Sequence, residues 1–192
     1  MTSQVGGGND LVARLIAQGI SGPLRQQVIV DNRATFLAAE LVAKAPPDGY
    51  TLLVATGSLW LAPLLQKVRF DALRDFAPIT LASNTPNILV VHPSLPVKSV
   101  RQLIALAKAR PGELDYASGS AGSTSHLGAE LFRVLASVNI VRIPYKAAGP
   151  AVIALVGGQV QLMFATAGSV APHITSSRLR ALAVTTAQPS AL

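Results

Sequence analysis

The sequence predicts an α/β fold, and three observations support that prediction. Half of the 192 residues are apolar and only 13% are charged, a balance that allows a large buried core. The apolar residues are mostly Ala, Val, Leu and Ile, and aromatic residues make up only 5%, which suits helices packed on buried strands. Short apolar runs alternate with segments of helical period, as in βαβ units with a mainly parallel sheet.

Glycine and proline divide the first half of the chain into helices and short strands. Apolar residues recur at helical spacing after Gly6-Gly7-Gly8, and Asn9 or Asp10 is the expected N-cap. Pro46-Pro47 must end the second helix, because proline blocks helix continuation. The predicted elements are a helix from the glycines to Gly22-Pro23, a strand at 28–30, a helix at 38–44 and a strand at 50–55.

The second half continues the alternation with clearer boundaries. Ser99 and Gln102 form a capping box, and leucines at 127, 131 and 135 recur at i, i+4 and i+8, which indicates a helix. The predicted elements are strands at 87–91, 115–117, 140–144, 160–164 and 182–185, and helices at 100–110, around the three leucines, and from Pro150 to Gly157-Gly158.

The formal net charge of +7 favours anionic ligands over cations. Nucleic-acid binding would need clustered basic residues with aromatics between them, whereas here Arg and Lys are scattered. Arg-rich composition without selection for anions explains the charge equally well. The absence of Cys excludes disulfides, thiolate metal sites and thiol nucleophiles.

No signal peptide or membrane span is expected. Met1 is followed by Thr2-Ser3-Gln4 rather than by a basic and then apolar stretch. Residues 147–177 carry no charge, but Gly and Gln residues interrupt every candidate span, which favours buried soluble elements. Few residues precede the glycine loop or follow the last strand, so both ends are expected to be cut.

Three loops, at 6–10, 56–58 and 119–125, share glycines and hydroxyls between a strand end and a helix start. Their backbone N–H groups and the helix dipole suit them to anions, and ligands bind outside the carboxyl ends of strands in open α/β sheets. The same residues also make ordinary turns and caps, so only the three together favour binding. Neither glycine loop has a phosphate fingerprint, and carboxylate oxygens suit a neutral, hydroxyl-rich loop at least as well.

Catalytic motifs are absent. No Gly-x-Ser-x-Gly elbow makes Ser120 or Ser123 a nucleophile, and the three histidines are too far apart in sequence for metal-ligand spacing. His126 follows the third loop and has a possible supporting role. Tyr145 and Lys146 offer a phenol and a cation to an acid, with a solvated loop lysine as the alternative. We therefore expect no enzyme, no cofactor and no metal.

Four phrases resemble the Bug-type extracytoplasmic solute receptors of tripartite tricarboxylate transporters, and the similarity covers nearly the whole chain. They are Pro-Pro-Asp-Gly-Tyr-Thr-Leu-Leu (46–53), Val-His-Pro-Ser-Leu-Pro-Val-Lys-Ser-Val (91–100), Gly-Ser-Thr-Ser-His-Leu (122–127) and Pro-Tyr-Lys-Ala-Ala-Gly-Pro-Ala (144–151). The resemblance implies a two-lobed periplasmic-binding-protein (type II) fold with an incomplete first lobe and two crossing strands as hinge. Residues 1–91 would form the partial first lobe, 92–183 the second lobe, and 184–192 the start of the return.

The same resemblance implies a function. The chain would be a periplasmic receptor that captures a small organic acid, a mono- or dicarboxylate, in the interlobe cleft and delivers it to membrane transporter subunits without catalysis. The residues implied to bind the ligand are Gly7, Gly8, Asn9, Asp10, Thr56 and Ser58 in the first lobe, and Ser120, Gly122, Ser123, Thr124, Tyr145, Lys146, Gly149 and Thr166 in the second.

Two departures from the family pattern bear on this site. Ala34–Leu37 stand where the family has a glycine-rich loop, and Ala165-Thr166 replace a common Asp-Asn. Two other hypotheses remain open: an enzyme that grips a phosphorylated metabolite with the loop at 119–125, and a degenerate fragment that folds without binding.

Overall fold

The computed structural model describes residues 1–3 and 5–188, with only the backbone of Thr35. The chain divides into two compact units, Met1–Asn84 and a second that begins at Thr85. The sequence analysis placed the lobe boundary after residue 91, whereas the strand at 87–91 packs within the second unit. The return of the chain at 184–192 stays a prediction, and its residues 189–192 lie outside the described ones.

The first unit is helical in its described residues. Its helices are α1 (Gly8–Leu24), α2 (Thr35–Ala43) and α3 (Ser58–Leu65). The strands predicted at 28–30 and 50–55 are not formed; instead, Thr2 makes isolated parallel bridges to Asn32 and Val54.

Helix α1 begins earlier than the sequence predicts. Its N-cap is Gly7, which has no side chain to cap the helix, and Pro23 lies inside the last turn. The expected N-caps, Asn9 and Asp10, are both inside the helix. The Asp10 carboxylate accepts a hydrogen bond from the Gly6 N–H, a contact that a residue in the first turn can make back to the preceding loop.

Five strands form one mixed sheet in the second unit, in the order β3-β2-β4-β1-β5. They are β1 (Asn87–Val91), β2 (Asp115–Ser118), β3 (Val141–Pro144), β4 (Leu162–Thr166) and β5 (Arg180–Val184). β2 is parallel to β3 and β4, whereas β1 is antiparallel to β4 and β5. Four of the described strands therefore share one direction, in line with the mainly parallel sheet expected, and β1 is reversed.

Four helices cover this sheet: α4 (Val100–Ala109), α5 (Thr124–Ala136), α6 (Ala148–Val156) and α7 (Ala167–Thr175). Side chains alternate across the strands, so Ile88 and Val90 pack into the core beside α6 and α7, and Leu89 and Val91 into the core beside α4 and α5. The Ser99 half of the predicted capping box forms, because Ser99 Oγ accepts the Gln102 N–H at 3.2 Å, while Gln102 Oε1 accepts the N–H of Lys98 rather than that of Ser99.

The leucine pattern on α5 marks a helix, as predicted, but not its buried face. Leu131 and Leu135 are 59% and 76% exposed. Ala129 is fully buried, and the Phe132 ring packs 5.8 Å from the Phe164 ring of β4. In the described part of the chain, none of the helices combines the length and apolar character that crossing a membrane would need.

Several strand ends lie together at one edge of the sheet. Asn87, at the start of β1, pairs with Thr166, at the end of β4, and β2 runs parallel to β4. The carboxyl ends of β2 and β4 and the amino end of β1 therefore lie together, at what we call the carboxyl edge. His92 follows β1 and lies at the opposite edge.

Candidate functional site

The glycine loop at 6–10 is held by a buried carboxylate. Asp10 is only 5% exposed, and it accepts hydrogen bonds from the Gly6 N–H at 3.1 Å and from Asn32 Nδ2 at 2.9 Å. Arg14 Nε lies 3.0 Å from Oδ1, the oxygen that also accepts from Asn32, and forms an ion pair with it. Asn32 Nδ2 also donates to the Ser3 carbonyl at 2.7 Å, so the residues on both sides of the loop are tied together.

Asp10 stays ionised in this network. Burial by itself would raise the pKa of Asp10, but hydrogen bonds from Asn32 and Gly6 and the Arg14 guanidinium together hold that pKa below its ordinary value. A carboxylate fully engaged with such donors repels a second carboxylate. The geometry gives Asp10 the role of orienting the loop, while its predicted contact with the ligand stays a prediction.

A small pocket in the first unit includes two of the predicted residues, Asn9 and Ser58. Its other walls are mainly apolar, with Phe36, Leu53 and Leu59 among them. Thr56 supports this wall, since its hydroxyl lies 3.0 Å from the Ser58 hydroxyl. Gly7 and Gly8 stand at the start of α1 and are not part of the pocket lining.

In the second unit, the loop at 119–125 joins the end of β2 to the start of α5 at the carboxyl edge. The Gly119 N–H donates to Ser125 Oγ at 3.0 Å, and the Ser123 N–H donates to the Ser120 carbonyl at 3.0 Å. Ser123 is the N-cap of α5, because its Oγ accepts the His126 N–H. Two of the loop's N–H groups, those of Gly119 and Ser123, thus close the turn, and the His126 N–H of the first helical turn is used to cap the helix.

Two side chains outside the predicted set support this loop. His126 Nδ1 accepts the Gly122 N–H at 3.1 Å. Arg142, on β3, donates from Nε to Ser118 Oγ at 2.8 Å and from Nη2 to the Gly119 carbonyl at 3.2 Å. The sequence indicates a possible supporting role for His126. It does not indicate a role for Arg142, because the strand that contains Arg142 is predicted from its apolar neighbours alone.

The imidazole of His126 is neutral at neutral pH. Burial lowers the pKa of His126, the Arg142 guanidinium lowers it further, and the Glu130 carboxylate raises it by less. Because Nδ1 accepts a hydrogen bond, the geometry assigns the imidazole proton to Nε2.

Other donors of the loop lack an acceptor in the part of the chain that the structure describes. Within the described residues, the N–H groups of Ala121, Thr124 and Ser125 have no hydrogen-bond acceptor. These groups lie in the loop and the first turn of α5, at the positive end of the helix dipole. Gly122 has φ of 75°, a conformation that glycine adopts without the penalty that a side chain brings.

The remaining predicted residues of the second unit lie around this loop. The Tyr145 N–H donates to the Ser118 carbonyl at 2.9 Å, Lys146 is exposed, and Gly149 lies in the first turn of α6. Thr166 is the N-cap of α7, and its carbonyl accepts the Ser169 hydroxyl at 2.7 Å.

Asn87 was missed by sequence reasoning. Its Nδ2 donates to the Thr124 carbonyl at 3.2 Å, which fixes the start of α5 against β1. The sequence shows only a polar residue before an apolar strand, and its place at the carboxyl edge depends on the reversed direction of β1. In the described part of the chain, no three His, Asp or Glu side chains are grouped so as to hold a metal ion.

Comparison with known proteins identifies the family. The model of the tripartite tricarboxylate transporter family receptor matches residues 12–192. Protein BugT of Bordetella pertussis is 40% identical over 185 residues, which are 93% of this chain and 57% of that protein. The chain therefore spans little more than half the length of this relative.

Solved structures agree with the sequence match. Rpa4515 of R. palustris, determined with adipate, superposes with a TM-score of 0.93 at 38% identity, over 98% of this chain and 66% of the other. MatC from Rhodopseudomonas palustris, with bound malate, superposes with a TM-score of 0.87 at 28% identity, over 98% and 67%. These matches confirm the α/β periplasmic-binding-protein fold. The chain belongs to the receptor family of the tripartite tricarboxylate transporters.

Proposed function

We propose that the chain binds a small organic acid as the periplasmic solute receptor of a membrane transporter, and that it catalyses no reaction. The observation that carries this proposal is the group of N–H donors of Ala121, Thr124 and Ser125 at the start of α5, which have no acceptor among the described residues. Several N–H groups that converge at a helix N-terminus bind anions by hydrogen bonds and by the helix dipole.

The surroundings of the loop favour a carboxylate. Arg142 adds positive charge behind the loop, and it is held there by Ser118 and Gly119. The net charge of +7 attracts anions to the whole chain. Two related chains have dicarboxylates bound, adipate in Rpa4515 and malate in MatC, so dicarboxylates are the first candidates here.

The hydroxyl groups of the loop support binding rather than catalysis. Ser123 Oγ and Ser125 Oγ lie 3.0 Å apart and bond to each other, while His126 Nδ1 is occupied by the Gly122 N–H. A serine nucleophile needs an adjacent general base that takes its proton, and Nδ1 is not available for that role. This arrangement disfavours the alternative of an enzyme acting on a phosphorylated metabolite.

A titration of the chain with several anions tests the proposal. Adipate, malate, a monocarboxylate such as acetate, and inorganic phosphate are compared by isothermal titration calorimetry and thermal shift. We expect one or both dicarboxylates to bind and phosphate not to bind. Binding of phosphate alone would favour the enzyme, and no binding of any of the acids would favour the non-binding fragment.

A matched pair of glycine variants connects binding to the loop. Gly122 and Gly112 have φ of 75° and 80°, so alanine brings a similar backbone strain of about 1–2 kcal/mol at either position. Gly112 precedes β2, away from the carboxyl edge. We expect Gly122→Ala to lose acid binding and Gly112→Ala to keep it. Equal affinities of the two variants would contradict the assignment of the loop.

A further inference from the structure

His126 lies in the first turn of α5, directly after the loop at 119–125. It is not among the residues predicted to contact the acid. Its Nδ1 accepts a hydrogen bond from the Gly122 N–H, and its backbone N–H donates to Ser123 Oγ. We propose that His126 is a positioning residue that holds this loop in its anion-binding shape and releases it when the imidazole gains a second proton. The link to affinity rests on the function proposed above, whereas the link to loop structure does not.

The hydrogen bond exists only with the neutral imidazole. Nδ1 can accept when the ring proton is on Nε2, but in the imidazolium both ring nitrogens are donors. The Gly122 N–H would then face another N–H. Gly122 has a left-handed backbone, and the bond to His126 is the contact that fixes the direction of its peptide group. Loss of this bond frees the turn that presents the neighbouring N–H groups.

Charged groups from two elements act on His126, and a third element contributes through a hydrogen bond to one of them. Arg142 comes from β3, Glu130 lies one turn further along α5, and Tyr116 of β2 donates to Glu130. Arg133 forms an ion pair with Glu130, which leaves less of that negative charge to stabilise an imidazolium. The surroundings therefore favour neutral His126, in agreement with its lowered pKa.

The lowered pKa of His126 determines whether its contribution is lost at low or at high pH. The folded-state pKa lies below the ordinary value of 6.5, so the contribution of His126 is complete above pH 6.5. It is lost as the pH falls from 6.5 through the lower folded value. The loop should therefore loosen as the pH falls through that lower folded-state value.

Three variants separate titration from structure. In His126→Asn, the amide oxygen stands near the position of Nδ1 and can accept the Gly122 N–H at any pH. His126→Leu removes the acceptor. His92→Asn changes a histidine at the opposite edge of the sheet, where its ring bonds Ser94, and serves as control.

The first measurement needs no ligand. Amide hydrogen exchange of Gly122, expressed as a protection factor, is followed by NMR between about pH 7.5 and about pH 5. We expect protection to fall with pH in the wild-type chain and in His92→Asn, to persist in His126→Asn, and to be absent throughout in His126→Leu. Equal protection of Gly122 in the wild-type chain and in His126→Leu would overturn the proposal.

The second measurement is adipate affinity over the same pH range. We expect the wild-type chain to lose affinity about three- to tenfold more than His126→Asn does, the size of one lost hydrogen bond. The comparison between the two proteins cancels the titration of adipate itself. If His126→Asn loses as much affinity as the wild-type chain, the proposal is wrong. If adipate does not bind at all while Gly122 protection follows His126, adipate binding fails and the positioning role stands.

Discussion

The two units place glycine loops before helices but support them differently. In the second unit, the loop at 119–125 leaves β2, which has strands on both sides, and its peptide groups are bound by Ser125 and His126. In the first unit, the loop at 6–10 follows isolated bridges of Thr2 and depends on the buried Asp10 carboxylate. The loop of the second unit is therefore oriented by a paired strand and by side-chain contacts, whereas the loop of the first unit depends mainly on side-chain contacts.

The two units also differ in how many apolar residues they bury. Among the described residues, the two apolar clusters of the second unit each contain thirteen buried residues, whereas the cluster of the first unit contains five. Leu64, Leu73 and Leu81 of the first unit are each at least 81% exposed. Because buried apolar area supplies most folding free energy, the first unit should open at lower denaturant than the second. Trp60, the single tryptophan, lies on α3 and reports on the first unit.

The largest effect expected is a core truncation in the second unit. Leu155 of α6 is fully buried, so Leu155→Ala should lower the free energy of unfolding by about 2–5 kcal/mol. Leu64→Ala removes the same atoms from a side chain that is 81% exposed in the first unit, and it should change stability by less than about 0.5 kcal/mol. Urea titration followed by far-UV circular dichroism measures both. A cost for Leu64→Ala as large as that for Leu155→Ala would show that the apolar clusters do not distinguish the units.

The next effect concerns Asp10 and is specific to the first unit. Asp10→Asn should destabilise that unit by about 1.5–3 kcal/mol, because hydrogen bonds to a charged group are lost. The folded-state pKa of Asp10 lies below 3.8, so its contribution is present above that pH and is lost as the pH falls through the folded value. Trp60 fluorescence in urea, measured from neutral to acid pH, should show this loss in the wild-type chain and less of it in Asp10→Asn.

Asp48→Asn provides the control for Asp10. Asp48 is exposed and its Oδ1 accepts the Tyr50 N–H, a bond that the Asn oxygen can replace. We expect little change in the Trp60 transition of this variant. If Asp10→Asn also leaves the transition unchanged, the first loop does not depend on the carboxylate.

How much of this could be predicted from the sequence depends on whether the signal is local. The β1 strand and the capping box at Ser99 have the predicted positions, because apolar runs and caps depend on a few neighbouring residues. The strands predicted at 28–30 and 50–55 do not form in the described part of the chain, where pairing of these segments with Thr2 is limited to single bridges at Asn32 and Val54. Helix α7 was not predicted, because its sequence is short and contains Pro172.

The candidate site likewise contains residues that a local sequence pattern predicts and residues that only the fold brings together. The loop at 119–125 could be predicted because its glycines and hydroxyls stand together in the chain. Arg142 and Asn87 reach the loop from β3 and from the start of β1, and their positions depend on strand order and direction. Four strands point one way and β1 the other, which composition and periodicity do not encode.

A smaller effect is expected within the second unit from the Tyr116 hydroxyl. Tyr116 donates to Glu130, and this bond lowers the pKa of Glu130, with further lowering by Arg133 against the opposite effect of burial. Tyr116→Phe should cost about 1 kcal/mol at neutral pH and bring the pKa of Glu130 back toward 4.5. The Glu130 contribution is lost as pH falls, so the variant should lose less stability on acidification.

NMR titration of the Glu130 carboxyl and urea unfolding measure this change. Tyr50→Phe is the control, since Tyr50 is 89% exposed in the first unit and should leave the second unit unaffected. An unchanged Glu130 titration in Tyr116→Phe would mean that Arg133 alone sets its charge state.

The smallest effects expected come from helix caps, and they should have opposite signs in the two units. Ser99 caps α4 through its bond to the Gln102 N–H, so Ser99→Ala should cost about 1 kcal/mol. The N-cap of α2 is Ala34, which has extended backbone angles and no side-chain acceptor, and the first turn has no acidic residue. Ala34→Asp should therefore stabilise the first unit by about 0.5–1 kcal/mol, by accepting a first-turn N–H and by its charge at the helix dipole. Ala34→Lys, which is as polar but cannot accept, should give no gain in the Trp60 transition. If Asp and Lys act alike at this position, solvation of an exposed residue explains the change, and α2 is not limited by its cap.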